Sequence, residues 1–143
     1  MTISSSQHAV RVPRKKITEL VAFAATAQGV ALAEVDIAVV GEGEIESLNR
    51  RYLRHAGPTD VLSFDMSDAP AAGISAQLVI CGDVAARQAK AHNVPIEREI
   101  LLYVLHGLLH LMGYEDESVR GAAKMHARED EILDEFHRML RRN

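Results

Sequence analysis

Hydrophobic side chains follow two spacings along this chain, one typical of helices and the other typical of strands. Between Pro13 and Gly29 they recur every three or four residues, which predicts a helix that ends at the glycine. Residues 35–40 alternate and are rich in β-branched side chains, which predicts a strand. The same criteria predict further strands at residues 60–64 and 77–81, and further helices at residues 44–54, 83–92, 95–112 and 118–141.

These segments predict one α+β domain over residues 1–143, in which helices cover a small mixed β-sheet. Gly57 and Pro58 break the chain, and residues 67–75, rich in Ala, Pro and Gly, are expected to form a loop that borders a cleft. Asp83 is expected to N-cap the helix that follows it. The helix at residues 95–112 carries an apolar run and is expected to lie at the centre.

Two histidines, His106 and His110, interrupt the apolar run of that helix. Residues four apart project from the same helix face, so both imidazoles can reach one cation. Gly113 is expected to end the helix and to turn the chain back, because glycine tolerates the left-handed conformation there. This turn makes Asp116 the candidate for a third ligand.

A histidine on an apolar helix face is more often a satisfied core residue than a metal ligand. Here the pair favours a metal, because two unpaired imidazoles are costly to bury. Imidazole and carboxylate are zinc ligands, and three protein ligands with water in the fourth position are typical of catalytic zinc. The sequence therefore predicts one Zn²⁺ per chain on a central, zincin-like metal-binding helix, with the metal-bound water as the only catalytic group. Zinc proteases carry a glutamate after the first histidine, whereas this chain has Gly107, which argues against proteolysis.

The run from His106 to Asp116, H-G-L-L-H-L-M-G-Y-E-D, resembles the H-G-x-L-H-L-x-G-Y-D-H signature of the YbeY family of bacterial ribosome-maturation endoribonucleases. Residues 48–52 and 58–64 are similar to the family's L-N-x-x-Y-R and P-T-D-V-L-S-F segments, and residues 82–83 occupy the place of its G-D-I element. The resemblance covers about residues 34 to 141.

The resemblance implies a zinc-dependent, single-strand-specific endoribonuclease. Its implied roles are 3′-end maturation of small-subunit ribosomal RNA and ribosome quality control. The implied partners are ribosomal RNA, the small ribosomal subunit and ribosome-associated proteins.

One departure from the family pattern concerns the metal ligands. Where the pattern has its third histidine, this chain has Asp116, so the carried-over ligand set is His106, His110 and Asp116. A carboxylate adds negative charge, which is expected to make the bound water less acidic. Glu115 and Glu117 are alternatives to Asp116 as the third ligand.

The other departure is at Leu53, where the pattern has an arginine that is expected to contact substrate phosphate. Arg54 follows directly, but one step along a helix rotates a side chain by about 100°, so Arg54 is expected to point in a different direction from the family's arginine. The candidate substrate-binding residues are Arg51, Arg54 and His55.

Composition limits the cellular context. The chain has 143 residues, of which 48% are hydrophobic, and its one cysteine, Cys81, stands in an apolar run that predicts a buried thiol. No stretch approaches the roughly 20 apolar residues of a membrane span, and the first residues lack the apolar core of a signal peptide. A cytoplasmic protein without a membrane partner is therefore expected.

The net charge of −4 is unusual for a plain RNA-binding module. The acidic excess lies in the last third of the chain. Basic residues form three separate groups, which are Arg11, Arg14, Lys15 and Lys16; Arg50, Arg51, Arg54 and His55; and Arg87 and Lys90. Each group alone is more typical of ordinary solvated surface. Only the second group is a candidate for contact with phosphate, because it is expected to lie beside the cleft.

Two other functions fit the same residues. A non-catalytic ribosome-assembly factor with a structural metal is compatible with the arginine missing at Leu53. A metal-dependent hydrolase of a small phosphoester or a peptide is the other, although Gly107 disfavours peptides.

Overall fold

The β-sheet is mixed, as the sequence predicts. The structure, a computed structural model, describes residues 1–53, 59–68 and 72–142, and at Leu53 the backbone alone. Within these ranges, four strands form one sheet in the order β1-β2-β4-β3: β1 (Thr2–Ser5), β2 (Leu32–Val40), β3 (Val61–Asp65) and β4 (Ile74–Cys81). β1 pairs with β2 and β2 pairs with β4 in parallel, whereas β3 pairs with β4 in antiparallel.

Helices occupy the segments for which apolar spacing predicts them. They are α1 (Arg14–Gln28), α2 (Glu42–Leu48), α3 (Gly82–His92), α4 (Ile96–Leu111) and α5 (Val119–Arg142). A π-helical turn, Asn49–Leu53, continues α2. The glycine expected to end α1, Gly29, does so in the left-handed conformation, with φ 64°.

Three strands differ from the prediction by more than one residue. β2 begins at Leu32, three residues before the predicted start. β1 has the polar sequence Thr-Ile-Ser-Ser, which carries no strand pattern, and its register comes from pairing with β2 and from the Thr2 hydroxyl, which donates to Asp36. β4 begins at Ile74, so the predicted loop over residues 67–75 is wrong at its end, and residues 69–71 lie outside the described ranges.

Asp83 caps a helix other than the expected one. α3 begins at Gly82, and the residue before it makes no side-chain capping bond. The Asp83 carboxylate instead accepts a hydrogen bond of 2.7 Å from the backbone N–H of Glu42, the first residue of α2. It thereby satisfies one of the free N–H groups at that helix start and ties α2 to α3.

The hydrophobic core lies on both faces of the sheet. β4 alternates between them, because Leu78 and Ile80 pack in the larger cluster while Val79 and Cys81 pack in the smaller one. The larger cluster joins the sheet to α1, α4 and α5. The smaller cluster lies under Ile45 of α2. Burial raises the pKa of the Cys81 thiol, as expected for an inert core cysteine.

The helix predicted to be central is α4. Residues on nearly all its sides are buried, and α4 packs against α1, α3, α5 and the strands β3 and β4. It lies close to the sheet at Gly107, where an added Cβ would lie 2.9 Å from Leu78 Cδ2 and 3.0 Å from Ser63 Oγ. Ser63 Oγ also donates to the Gly107 carbonyl at 3.3 Å. The missing side chain at Gly107 is therefore a packing requirement.

No helix in the described ranges is long and apolar enough to cross a membrane.

Replacing Gly107 tests this contact. Gly107→Glu is expected to lower the free energy of unfolding by about 3 kcal/mol or more, because a carboxylate would be forced between Leu78 and Ser63. Gly107→Ala is the matched control. Its overpacking is offset by about 1 kcal/mol of helix propensity, so a much smaller change is expected in urea unfolding. Equal stability of the glutamate variant and wild type would contradict the close approach.

Candidate functional site

The site is built around His106, near the C-terminal end of α4. Its imidazole side chain is 24% exposed and lies between two carboxylates. Nε2 is 3.4 Å from Asp116 Oδ2, and Nδ1 is 2.5 Å from Glu129 Oε2. One ring thus connects the segment that follows α4 with the C-terminal helix α5.

Glu129 is the most buried charged residue of this group, with 2% exposure. Its second oxygen, Oε1, is 3.0 Å from Nδ1 of His126, one turn before it on α5. A carboxylate accepts hydrogen bonds only, so both imidazoles donate to it through Nδ1–H. In neutral His106 the lone pair is therefore on Nε2, the nitrogen that faces Asp116.

The carboxylates favour the protonated imidazole. The pKa of His106 is raised above its usual value, mainly by the hydrogen bond to Glu129; burial opposes this, and the charges of Glu129, Asp60 and Asp116 add to it. A cation at Nε2 would take the place of the proton held there.

The chain reversal predicted at Gly113 is present. Gly113 has φ 107°, and the Tyr114 N–H donates to the Leu109 carbonyl at 3.1 Å, which closes the end of α4. This turn brings Asp116 back to His106, as the sequence predicts.

His110 follows one turn after His106 and is exposed. Across residues 1–53, 59–68 and 72–142, no three His, Cys, Asp or Glu side chains converge closely enough to hold a metal ion. Two of the three predicted ligands, His106 and Asp116, are in contact, and the full ligand set stays a prediction.

The donor atoms nevertheless suit a zinc ion in their chemistry. Metal-binding histidines usually donate their other ring N–H to a carboxylate, which fixes the tautomer and raises the basicity of the ligand nitrogen. Glu129 makes this contact with His106. His110 lies on the same helix, four residues further, where imidazoles of one face can meet.

The predicted substrate-binding residues are only partly described. Arg51 is exposed on the π-helical turn, with its guanidinium carbon 5.9 Å from the centre of the Tyr52 ring. Arg54 and His55 lie outside the described residues, as does the side chain of Leu53.

Glu129 and His126 were not among the predicted site residues. The signal that points to Glu129 is its position in the apolar stripe of α5, where Met125, Ile132 and Phe136 are also buried. A carboxylate on a buried face requires a partner. The partner itself, on another helix, is visible only in the structure.

The fold and the site together define a class: an α+β domain whose central helix holds a histidine between two carboxylates. Within that class the chain belongs to the Endoribonuclease YbeY family, whose sequence description matches residues 2–137. This finding confirms the resemblance drawn from the three sequence blocks.

Several relatives support the assignment. The Endoribonuclease YbeY of Nocardioides sp. is 40% identical over 110 residues, covering 71% of this chain and 74% of the relative. That of Macrococcus caseolyticus is 37% identical over 131 residues, covering 85% and 84%. The solution structure of TM1509 from Thermotoga maritima matches with a TM-score of 0.65 and 25% identity over 100% of this chain and 93% of that one.

Neutralising Glu129 tests its effect on His106. In metal-free Glu129→Gln, the His106 pKa is expected to fall toward 6.5, because the main cause of its elevation is removed. NMR titration of the imidazole resonances measures the change. Since the folded-state pKa lies above the unfolded value, protonated His106 stabilises wild type fully below about pH 6.5 and this contribution is lost as pH rises through the raised pKa.

The matched control is Asp130→Asn, which neutralises the next residue, an exposed carboxylate. An equal fall of the His106 pKa in both variants would mean that overall charge, rather than the bond to Glu129, raises the pKa.

Proposed function

We propose that this chain is a zinc-dependent, single-strand-specific endoribonuclease that acts in the 3′-end maturation of small-subunit ribosomal RNA and in ribosome quality control. The observation that carries the proposal is the His106 ring, held by Glu129 so that Nε2 faces Asp116, in a chain of the Endoribonuclease YbeY family. The proposed partners are ribosomal RNA and the small ribosomal subunit, in the cytoplasm.

The proposed metal ligands are His106, His110 and Asp116. A bound zinc would polarise the scissile phosphate and lower the pKa of water. Glu129 keeps the Nδ1 proton on His106, so that Nε2 is available as a donor atom. Asp116 brings a negative charge where the family pattern has a neutral imidazole, and this charge is expected to strengthen cation binding and to make bound water less acidic.

An exposed aromatic ring supports the preference for single strands. Tyr52 is 59% exposed, and the Arg51 guanidinium lies beside its ring. Phe64 contacts Tyr52 edge-on, with 6.0 Å between ring centroids, which supports its orientation. An aromatic face next to a cation suits an unpaired base and its phosphate, whereas a base in a duplex cannot stack on it.

A second candidate is a non-catalytic ribosome-assembly factor with a structural metal. Leu53 favours it, because the family pattern has an arginine there for substrate phosphate. A scaffold tolerates the loss of this phosphate contact better than a nuclease does.

Zinc content is the first test of the proposal. Wild type purified without a histidine tag is expected to contain about one zinc per chain by elemental analysis. His110→Ala and Asp116→Ala are expected to lose most of it, because a three-ligand site that loses one ligand binds zinc far more weakly. His8→Ala is the control, since His8 is exposed and distant in sequence from the site, and its zinc content is expected to stay unchanged.

RNA cleavage is measured on the same proteins. Wild type and His8→Ala are expected to cut single-stranded RNA, and His110→Ala is expected to be inactive. Cleavage by zinc-free His110→Ala would refute the site. Binding of wild type to small ribosomal subunits that survives Asp116→Ala, without turnover of any RNA, would select the assembly factor.

A further inference from the structure

A strongly basic face lies at the end of the molecule away from His106. It is formed by the start of α1 with the residues before it, the start of α4 and the end of α5. This basic face consists of Arg11, Arg14, Lys15, Lys16, Arg98, Arg138 and Arg141.

The basic face is concave. Three hollows of about 460, 530 and 580 Å³ are lined by its residues, and Lys16 lines all three. His137 and Arg141 line two of them. The hollows share lining residues and therefore lie next to one another at the ends of the three helices, and together they are called the groove.

The basic face carries a net positive charge, although the chain as a whole is negatively charged. Seven Lys and Arg side chains meet three carboxylates, Glu19, Glu97 and Asp134, which leaves a local charge of +4 on a chain whose net charge is −4. Lys16 pairs with Glu97 at 2.7 Å, and Lys15 lies 3.9 Å from Glu19. The other two groups of basic residues are partly neutralised by local carboxylates, since Arg87 makes two bonds of 2.9 Å to Glu42 and Arg50 pairs with Glu46.

Most of the cations on this face are not neutralised in that way. None of the five arginines, Arg11, Arg14, Arg98, Arg138 and Arg141, forms an ion pair with any residue in the described ranges, and Arg14 donates a hydrogen bond to the neutral carbonyl of Ile3. Unpaired guanidinium groups around a groove attract a polyanion, and their planar forks bind phosphate oxygens in pairs.

We propose that the basic face binds the phosphate backbone of RNA, as a second contact area at the opposite end of α4 from the site at His106. This inference rests on the proposed RNA substrate. From Glu97 to His106 the helix rises about 14 Å, so the two areas lie within reach of one RNA strand. Contacts to phosphate would be independent of sequence and would hold the RNA in register at the site.

The shape and composition of the face favour RNA over a lipid surface. A membrane-binding surface combines cations with apolar side chains that enter the bilayer. Within the groove walls, Ile96 is the one large hydrophobic residue that is exposed, at 40%. A groove lined by arginine fits an extended polyanionic strand better than the flat surface of a vesicle.

RNA binding by two triple variants tests the proposal. Arg98→Gln/Arg138→Gln/Arg141→Gln removes three cations of one hollow, and Arg87→Gln/Lys90→Gln/Arg128→Gln removes three cations that line neither the basic face nor the turn after α4, at the same net charge. The probe is a 30-nucleotide single-stranded RNA of mixed sequence. Affinity is measured by fluorescence anisotropy over a range of salt concentrations, with RNA integrity checked on a gel.

The basic-face triple is expected to bind on the order of tenfold or more weakly at 0.1 M salt. Its slope of log affinity against log salt is expected to fall by about 2, because each phosphate contact on a single strand contributes about 0.7. The control triple is expected to stay within about twofold of wild type. Should the first triple fail to fold by circular dichroism, Arg138→Gln/Arg141→Gln, with both sites exposed, replaces it.

Equal losses in the two triples, or no loss in either, would overturn the proposal. Wild type that binds anionic vesicles through the basic face, while RNA affinity is unchanged in the triple, would overturn it in favour of a lipid surface.

The proposal of RNA binding by the basic face and the proposal of nuclease activity can be refuted independently. RNA cleavage with unchanged affinity in the triple refutes the basic face alone, and weaker binding in the triple without cleavage by wild type refutes the nuclease alone.

Discussion

The contact between α4 and the sheet is the constraint on which the rest of the molecule depends. At Gly107 the helix backbone comes so near to β3 and β4 that an added Cβ would lie 2.9 Å from Leu78 Cδ2 and 3.0 Å from Ser63 Oγ. Helix α4 is consequently buried on nearly all sides, and the polar groups it carries must find partners inside the protein. His106, one residue before Gly107, meets this requirement through Glu129.

Site and stability are therefore linked in this chain. Glu129 is buried with both oxygens engaged by imidazoles, so removing His106 leaves one buried oxygen without its donor, and removing Glu129 leaves Nδ1 of His106 without its acceptor. The arrangement that presents Nε2 of His106 also joins α4 to α5. A substitution made to change the chemistry of the site will thus also change how firmly the last helix is held.

Much of the fold follows from local patterns, and the exceptions have physical causes. The spacing of apolar residues is enough to predict α1, α4 and α5, because their buried faces repeat at the helical period. β1 has no such pattern, since its order comes from pairing with β2. Asp83 has the residue type and place of a cap, but the N–H it satisfies belongs to Glu42, distant in sequence.

The same distinction holds at the site. Positions close in sequence, such as His106 and Asp116, can be related through one helix and one turn, and the structure brings them into contact. Glu129 reaches His106 across 23 positions, and the basic face combines three distant segments, so neither is visible in any local window. Contacts between distant segments are set by how the helices and strands pack, and the spacing of residues within a short window does not show them.

Because Glu129 lies on α5, its contact with His106 forms late in the synthesis of the chain. A ribosome makes α4 first, and His106 then has no buried carboxylate to hold its ring. The partner arrives only after α5 has left the exit tunnel and docked. Until Glu129 has been made and α5 has docked, the growing chain carries His106 without the carboxylate that orients its ring, so a copy cut short before α5 lacks the completed contact.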